Sequence, residues 1–276
     1  MAKKLEEECG TKVLMNVPEV DQVDLSAFSE GKAKETRRFH ESIPAYNRTP
    51  LVQLRGLGGK LGVKGIFVKN EAERFGMKAF KGLGGTYAMF RILCRELGLD
   101  PGKVDFSEFQ KADVREKTAK YTFVTATDGN HGKGVSWASG LFGAHAYVYM
   151  PKGSVKAREE AVRQAGPAEV TVTDWNYDDT VNYAKKMSEE HGWFLIQDTS
   201  WDGYEEIPGW IMDGYLTMAS EAAEQIEAAG EIPTHVFLQA GVGSMAGAVA
   251  GYLVNHYGEK APNRGTGRGG LYFQIR

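Results

Sequence analysis

YTFVTATDGNHGKGVSWASGLFGAHAYVYM, residues 121–150, is the stretch that decides the fold. A short β-branched and aromatic run, Tyr121 to Ala126, passes into a loop rich in Gly, Asp and Asn, then a helical segment, then a second short run, Ala144 to Met150. Strand, helix, strand in that order is the unit of a parallel sheet, because parallel neighbours need a long crossover. The same alternation reaches outward in both directions. Gly65 to Lys69 lies upstream, and Ala168 to Thr173, Trp193 to Gln197 and His235 to Gln239 lie downstream, each short and near a turn signal. Between them, Leu83, Tyr87, Phe90 and Leu93 recur at helical spacing, as do Tyr183 and Met187 and the segment Trp210 to Ile226. These stripes predict core packing, and the whole predicts an α/β fold of parallel sheets with helices on both faces.

Composition narrows the function. The 276 residues are 42% hydrophobic and 25% charged, the balance of a soluble globular chain, and a formal charge of -3 gives no basic excess with which to neutralise nucleic-acid phosphates. The expected partner is a small molecule. Cys9 and Cys94 are the only cysteines, too few for a disulfide framework or a cysteine-based zinc site, so no metal is expected and a reducing cytoplasm fits. Met1 to Thr11 is charged and lacks the apolar run of a signal peptide, and no later stretch reads as a membrane span.

Three constellations carry chemistry. Arg74 to Gly85 (RFGMKAFKGLGG) holds Lys81 at the start of a predicted helix, with three glycines in the next four residues. Those glycines cost helix stability, so a close backbone approach, such as that of a planar cofactor, is expected there. An apolar setting of Ala79, Phe80 and Leu83 would lower a lysine pKa and make it a Schiff-base nucleophile, although a lysine at a helix start is ordinarily a solvated charge. Thr125 to Gly132 (TATDGNHG) follows one strand and precedes a helix, the position at which open α/β sheets bind ligands. It offers an anion cradle, or equally ordinary helix capping by Thr127, Asp128 or Asn130. Gln239 to Gly247 (QAGVGSMAG) repeats the strand-to-helix placement and presents backbone N–H groups to a phosphate. Its spacing also matches the dinucleotide fingerprint, but no acidic residue at the end of a second strand follows, so a single phosphate monoester is preferred over a nicotinamide cofactor.

Together these loops resemble the fold-type II pyridoxal-phosphate (PLP) enzymes, the tryptophan synthase beta-like group. Within it the chain is most similar to the diaminopropionate ammonia-lyases. YNRTPL (46–51), RFGMKAFKGLGGTYA (74–88), TATDGNHGKGV (125–135), YMPKGS (149–154), NYDDTV (176–181), QDTSWDGY (197–204) and residues 233–251 carry the resemblance. It implies that Lys81 is the cofactor lysine and that Gly241, Val242, Gly243, Ser244, Met245 and Gly247 form the phosphate cup, with Asn130 beside the ring hydroxyl. Thr127, Gly129 and His131 would surround the substrate carboxylate. Asp128 would face the substrate ammonium groups or act as a base opposite Lys81, and Asp198 would assist departure of the β-nitrogen. A local cap or salt bridge in its own turn is the competing role for Asp198.

The activity so implied is α,β-elimination of D- and L-2,3-diaminopropionate to pyruvate and ammonia, by a cytoplasmic homodimer. A serine or threonine dehydratase is the near alternative, and a catalytically incomplete PLP-binding remnant the alternative of another class. The resemblance divides the chain into part of a large domain (1–77), a smaller α/β domain (78–174), the phosphate-loop part of the large domain (175–257) and an atypical tail (258–276). Gly258 to Gly270 reads as a loop followed by one short strand. The family would continue past Gly251 with further strands, so the large domain is expected to be incomplete, with an open apolar edge. Asn70 stands where the family commonly has Asp.

Overall fold

The computed structural model describes residues 24–258 and the backbone of residues 271–275. Cys9, the Met1 to Thr11 segment and residues 259–270 lie outside the described residues. The first part of the chain contains α1 (Glu30–Glu41), β1 (Leu51–Gln53), α2 (Arg55–Leu61), β2 (Phe67–Lys69), α3 (Lys81–Leu97) and α4 (Ala112–Thr118). The central part alternates as expected: β3 (Thr122–Ala126), α5 (Asn130–Phe142), β4 (His145–Met150), α6 (Lys156–Ala165), β5 (Glu169–Val172), α7 (Tyr177–His191) and β6 (Phe194–Leu195). The last part contains α8 (Glu206–Ala228), β7 (Val236–Ala240), α9 (Ser244–Tyr257) and β8 (Leu271–Ile275).

The expected α/β class is the one observed. β5, β4, β3 and β6 form one parallel sheet in that order, with β3 in register from Thr122 against His145 to Ala126 against Tyr149. β7 pairs in parallel with β8, the short strand expected after the Gly-rich segment. One pairing departs from the all-parallel expectation: β1 and β2 run antiparallel. Three residues after Pro50 are too short to show a period, so β1 had no signature in the sequence.

The helical stripes are core. Leu83, Tyr87, Phe90 and Leu93 of α3 are buried in the main cluster with Ile211, Tyr215 and Leu216 of α8, and Phe39 stacks on Phe90 at 4.0 Å. Tyr183 and Met187 of α7 cover a second cluster formed by Val124, Ala126, Tyr149, Ala184 and Leu195 on the other face of the sheet. His40 is buried between α8 and α3, with Nδ1 2.7 Å from Thr217 Oγ1 and Nε2 3.1 Å from Leu83 O. Its Nε2–H donates to the carbonyl, which can only accept, and burial pushes its pKa down to about 3, so it is a neutral structural histidine.

The glycines after Lys81 have a different cause from the one the sequence suggested. Gly84 faces α8, where an added Cβ would meet Ile211 O at 2.9 Å, and one added at Gly214 would lie 2.5 Å from Leu83 O and 2.7 Å from Gly84 Cα. On the other side Gly134 of α5 approaches Lys81 O, 3.0 Å from its would-be Cβ. The close approach at Gly84 is therefore of helix on helix, that at Gly82 is of the preceding turn through Met77 and Phe75, and no cofactor is needed to explain either. Because the colliding atoms at Gly214 are backbone, Gly214→Ala is expected to lower stability by about 1–3 kcal/mol, read by thermal or urea unfolding. A loss no larger than that of an exposed alanine substitution would show that α3 and α8 can separate freely.

Candidate active site

The loops at the carboxyl ends of β3, β4, β5 and β6 converge with the loop after β7 on a cleft of about 920 Å³. Such convergence is where open α/β sheets place ligands. Lys81 enters from the start of α3. Thr127, Asp128, Gly129, Asn130 and His131 line it from the β3–α5 connection, Asp198 from beyond β6, and Gly241, Val242, Gly243, Ser244 and Met245 from the β7–α9 loop. One expected residue stands back: Gly247 does not line the cleft, and a Cβ there would meet Met212 Cε at 3.2 Å.

Lys81 is delivered by a strained turn. Phe75 and Lys78 occupy the left-handed region at φ 51° and 57°, which bulky and long side chains rarely adopt. Three contacts hold this conformation. Phe75 stacks on Trp137 at 4.6 Å, Lys133 Nζ donates to Met77 O at 2.7 Å, and Arg74, fully buried, is fixed by Glu71 and Glu221. Glu221 Oε1 and Oε2 each accept from the Arg74 guanidinium at 2.8 Å, and Lys69 Nζ also donates to Glu221. Asn70 caps the short 3-10 helix Glu71–Gly76 by accepting from Ala72 N.

At the floor, Lys81 Nζ donates to Asp198 Oδ2. Asp198 is 5% exposed, while the Lys81 side chain keeps 20% of its surface open to the cleft. Burial alone would raise this carboxyl, but His131 and Lys81 together hold it below the ordinary carboxylate range. Asp198 thus pairs with the lysine across the cleft floor, in addition to a bond with its own backbone N–H. His131 Nε2 lies 2.8 Å from Ile196 O and donates to it, which leaves Nδ1 buried without a hydrogen-bond partner, 3.7 Å from Asp198 Oδ2. Tyr215, whose hydroxyl is likewise buried and unpartnered, packs beside Lys81 with its ring centre 5.9 Å from Nζ.

The β3–α5 loop is internally tied. Thr127 N donates to Tyr149 O at 2.9 Å, and its hydroxyl accepts from Gly129 N at 3.0 Å and Gly132 N at 3.2 Å. Thr127 thus ties down the start of α5, the capping role posed by the sequence, and the first-turn N–H groups of Asn130 and His131, two residues that line the cleft, have no acceptor within their own helix. Asp128 sits at the mouth, 73% exposed, its Oδ2 3.4 Å from Arg158 Nη1.

The loop after β7 fits a phosphate. Gly243 precedes α9 at φ 98°, no side chain caps the helix, and no acidic residue occupies its first turn. Ser244 Oγ is buried without a partner, and a Cβ at Gly241 or Gly243 would project into open space. An uncapped helix start with an orphan hydroxyl and two glycines accepts a dianion by its N–H groups and dipole. A primary amine in the same cleft completes the donor set that pyridoxal phosphate requires.

Sequence reading missed Lys133, Lys152, Arg158 and Tyr177, all of which line the cleft. The available signal was positional: Lys152 follows β4 and Tyr177 follows β5, at strand carboxyl ends like the residues that were identified.

Comparison with known proteins agrees with this geometry. Residues 43–264 match the family model described as pyridoxal-phosphate dependent enzyme. The chain is 51% identical over 230 residues to diaminopropionate ammonia-lyase of Escherichia coli (strain K12), covering 83% of this chain and 56% of that one. It is 49% identical over 240 residues to the Salmonella typhimurium (strain LT2) enzyme of the same name, covering 87% and 59%. The crystal structure of the Escherichia coli ammonia-lyase in apo form superposes with a TM-score of 0.82 at 47% identity, covering 92% of this chain and 66% of that one. The chain thus spans a little over half the length of the two relatives. With the lysine, the uncapped helix start after β7 and the matched residues in agreement, the chain belongs to the family of pyridoxal-phosphate-dependent enzymes.

Proposed function

We propose that this cleft serves α,β-elimination of ammonia from 2,3-diaminopropionate, giving pyruvate and a second ammonia after hydrolysis. The observation that carries the reading is the Lys81–Asp198 ion pair set in one cleft with the uncapped start of α9. The ammonia-lyase relatives share about half of its residues. Pyridoxal phosphate, when bound, supplies a carbonyl carbon for an amine and an electron sink for the pair left when the α-proton departs.

The chain's own groups divide the remaining work. Lys81 holds the cofactor and, once its amine is free, is the base on one face of the substrate. Gly241 to Met245 hold the phosphate by backbone N–H groups, with Ser244 Oγ as an additional donor, and Asn130 lies within the same cleft for the ring hydroxyl. Asp198, kept ionised by its basic neighbours, stabilises a cation at Lys81 or at the departing β-nitrogen, which leaves more readily when protonated. Asp128 at the mouth is the base on the opposite face, where Arg158 orients its carboxylate. Two chains pairing as a homodimer in the cytoplasm belong to the same proposal. So does a smaller domain built on 78–174, to which β6 is added because it pairs with β3.

Pyruvate release by the purified, cofactor-supplemented chain tests the substrate. We expect 2,3-diaminopropionate to outpace serine and threonine; faster turnover of serine would move the assignment to a dehydratase. Asp128→Asn is expected to lower turnover of one enantiomer by about 100-fold or more, the range of a positioned base, while the other stays within a few-fold. Equal loss on both would remove Asp128 as a face-specific base.

A further inference from the structure

We infer that Tyr177 is a substrate-binding residue whose phenolic O–H donates to the carboxylate of the amino acid in the cleft, an inference that rests on the amino-acid reading above. The argument is hydrogen-bond accounting. Ala126 N–H can only donate, and it reaches Gln197 Oε1 at 3.2 Å, where Thr125 Oγ1 also lies at 3.2 Å. This fixes which end of the Gln197 amide is oxygen. Gln197 is fully buried, so no water can exchange for these partners. Its Nε2 therefore points at Tyr177 Oη, 3.1 Å away, and an amide nitrogen only donates.

The phenol oxygen is thus the acceptor in that bond, and its own proton is directed elsewhere. Tyr177 lines the cleft, and its hydroxyl makes no other hydrogen bond among the described residues. Burial pushes its pKa up to about 12, with the Asp198 and Asp128 charges acting in the same sense, so the phenol keeps its proton at neutral pH. Neither carboxylate takes that proton as a hydrogen bond. A small amino acid brings ammonium groups, which only donate, and one carboxylate, which accepts. Asp128 and Asp198 suit the first; Tyr177 suits the second, beside the first-turn N–H groups of Asn130 and His131.

The test compares two probes on the cofactor-loaded protein by isothermal titration calorimetry: alanine, and ethylamine, which is alanine with the carboxylate replaced by hydrogen. Wild type is expected to prefer alanine. Tyr177→Phe is expected to lose about tenfold or more of that preference, the loss of one hydrogen bond to a charged group, with ethylamine affinity unchanged within about twofold. Because the measure is a ratio of affinities, a general loss of stability leaves it unmoved. A phenylalanine variant with the full preference for alanine overturns the inference alone. Wild-type protein that binds neither probe overturns the amino-acid reading and takes this inference with it.

Discussion

Replacing Lys81 with alanine is expected to abolish the visible absorbance of the cofactor-loaded protein and to lower elimination by at least about 10³-fold. Other amines line the cleft, so the result is informative. Lys133 is committed to Met77 O at 2.7 Å and bridges α5 to the strained turn, whereas Lys81 is held at the floor against buried Asp198. Borohydride reduction of the loaded protein followed by peptide mapping should place the label on position 81 in the wild type and nowhere in Lys81→Ala. A label on Lys133 or Lys152, or an unchanged absorbance band, would show that the wrong amine has been named.

The second large effect is on stability, and it concerns a residue remote from the chemistry. Glu221 of α8 is fully buried and accepts from Arg74, Lys69 and Tyr46, drawing the segments 46–49 and 69–74 onto α8. Removal of the carboxylate leaves Arg74 buried with Glu71 as its one ion-pair partner beside Asn47 O and Thr49 Oγ1, and leaves Lys69 with only neutral oxygens. We expect Glu221→Ala to cost about 3–5 kcal/mol, the range for breaking a buried ion pair, and to lower Tm by on the order of 10 °C. Glu224→Ala, whose carboxylate is half exposed against Arg37 and Arg48, should cost no more than about 1 kcal/mol. Equal effects from the two would mean that the buried cluster contributes no more than a surface pair.

The same cluster sets a pH dependence. Burial would raise the Glu221 carboxyl, but the hydrogen bonds and charge of Arg74, with Lys69, hold it down at about 2 against an ordinary value of 4.5. A depressed folded-state pKa gives stability that is complete above about 4.5 and lost as pH falls toward 2. Glu221→Gln should accordingly flatten the acid limb of an unfolding-versus-pH curve in that window.

Parts of this molecule were written locally. Tyr121 to Met150 sufficed for the parallel sheet, because strand length, β-branched content and a helical crossover are properties of neighbouring residues. The three candidate loops were likewise legible, since each opens a helix and two of them follow directly on a strand end. The site was less so. Asp198 was recognised as a candidate, but its bond to Lys81 spans 117 residues. The glycines at 82, 84 and 85 announced a close approach without naming the partners, which are the turn at Phe75 and Met77 for the first and the helices α8 and α5 for the other two. Tyr177 followed a strand and lay within the NYDDTV stretch, yet nothing there gave it a role, because the role proposed for it depends on the direction of one buried amide.

The sequence by itself determined the α/β class and the family, and it singled out Lys81 and the helix start after β7 as candidates, all features encoded by residue type and short spacing. Only the tertiary structure decided that Asp198 is the counter-ion of Lys81, that Asp128 meets Arg158 at the mouth, and that the Arg74–Glu221 cluster braces the turn beneath the lysine. Charge pairing and hydrogen-bond direction act across space between chain-distant groups, and periodicity along the chain does not carry that information.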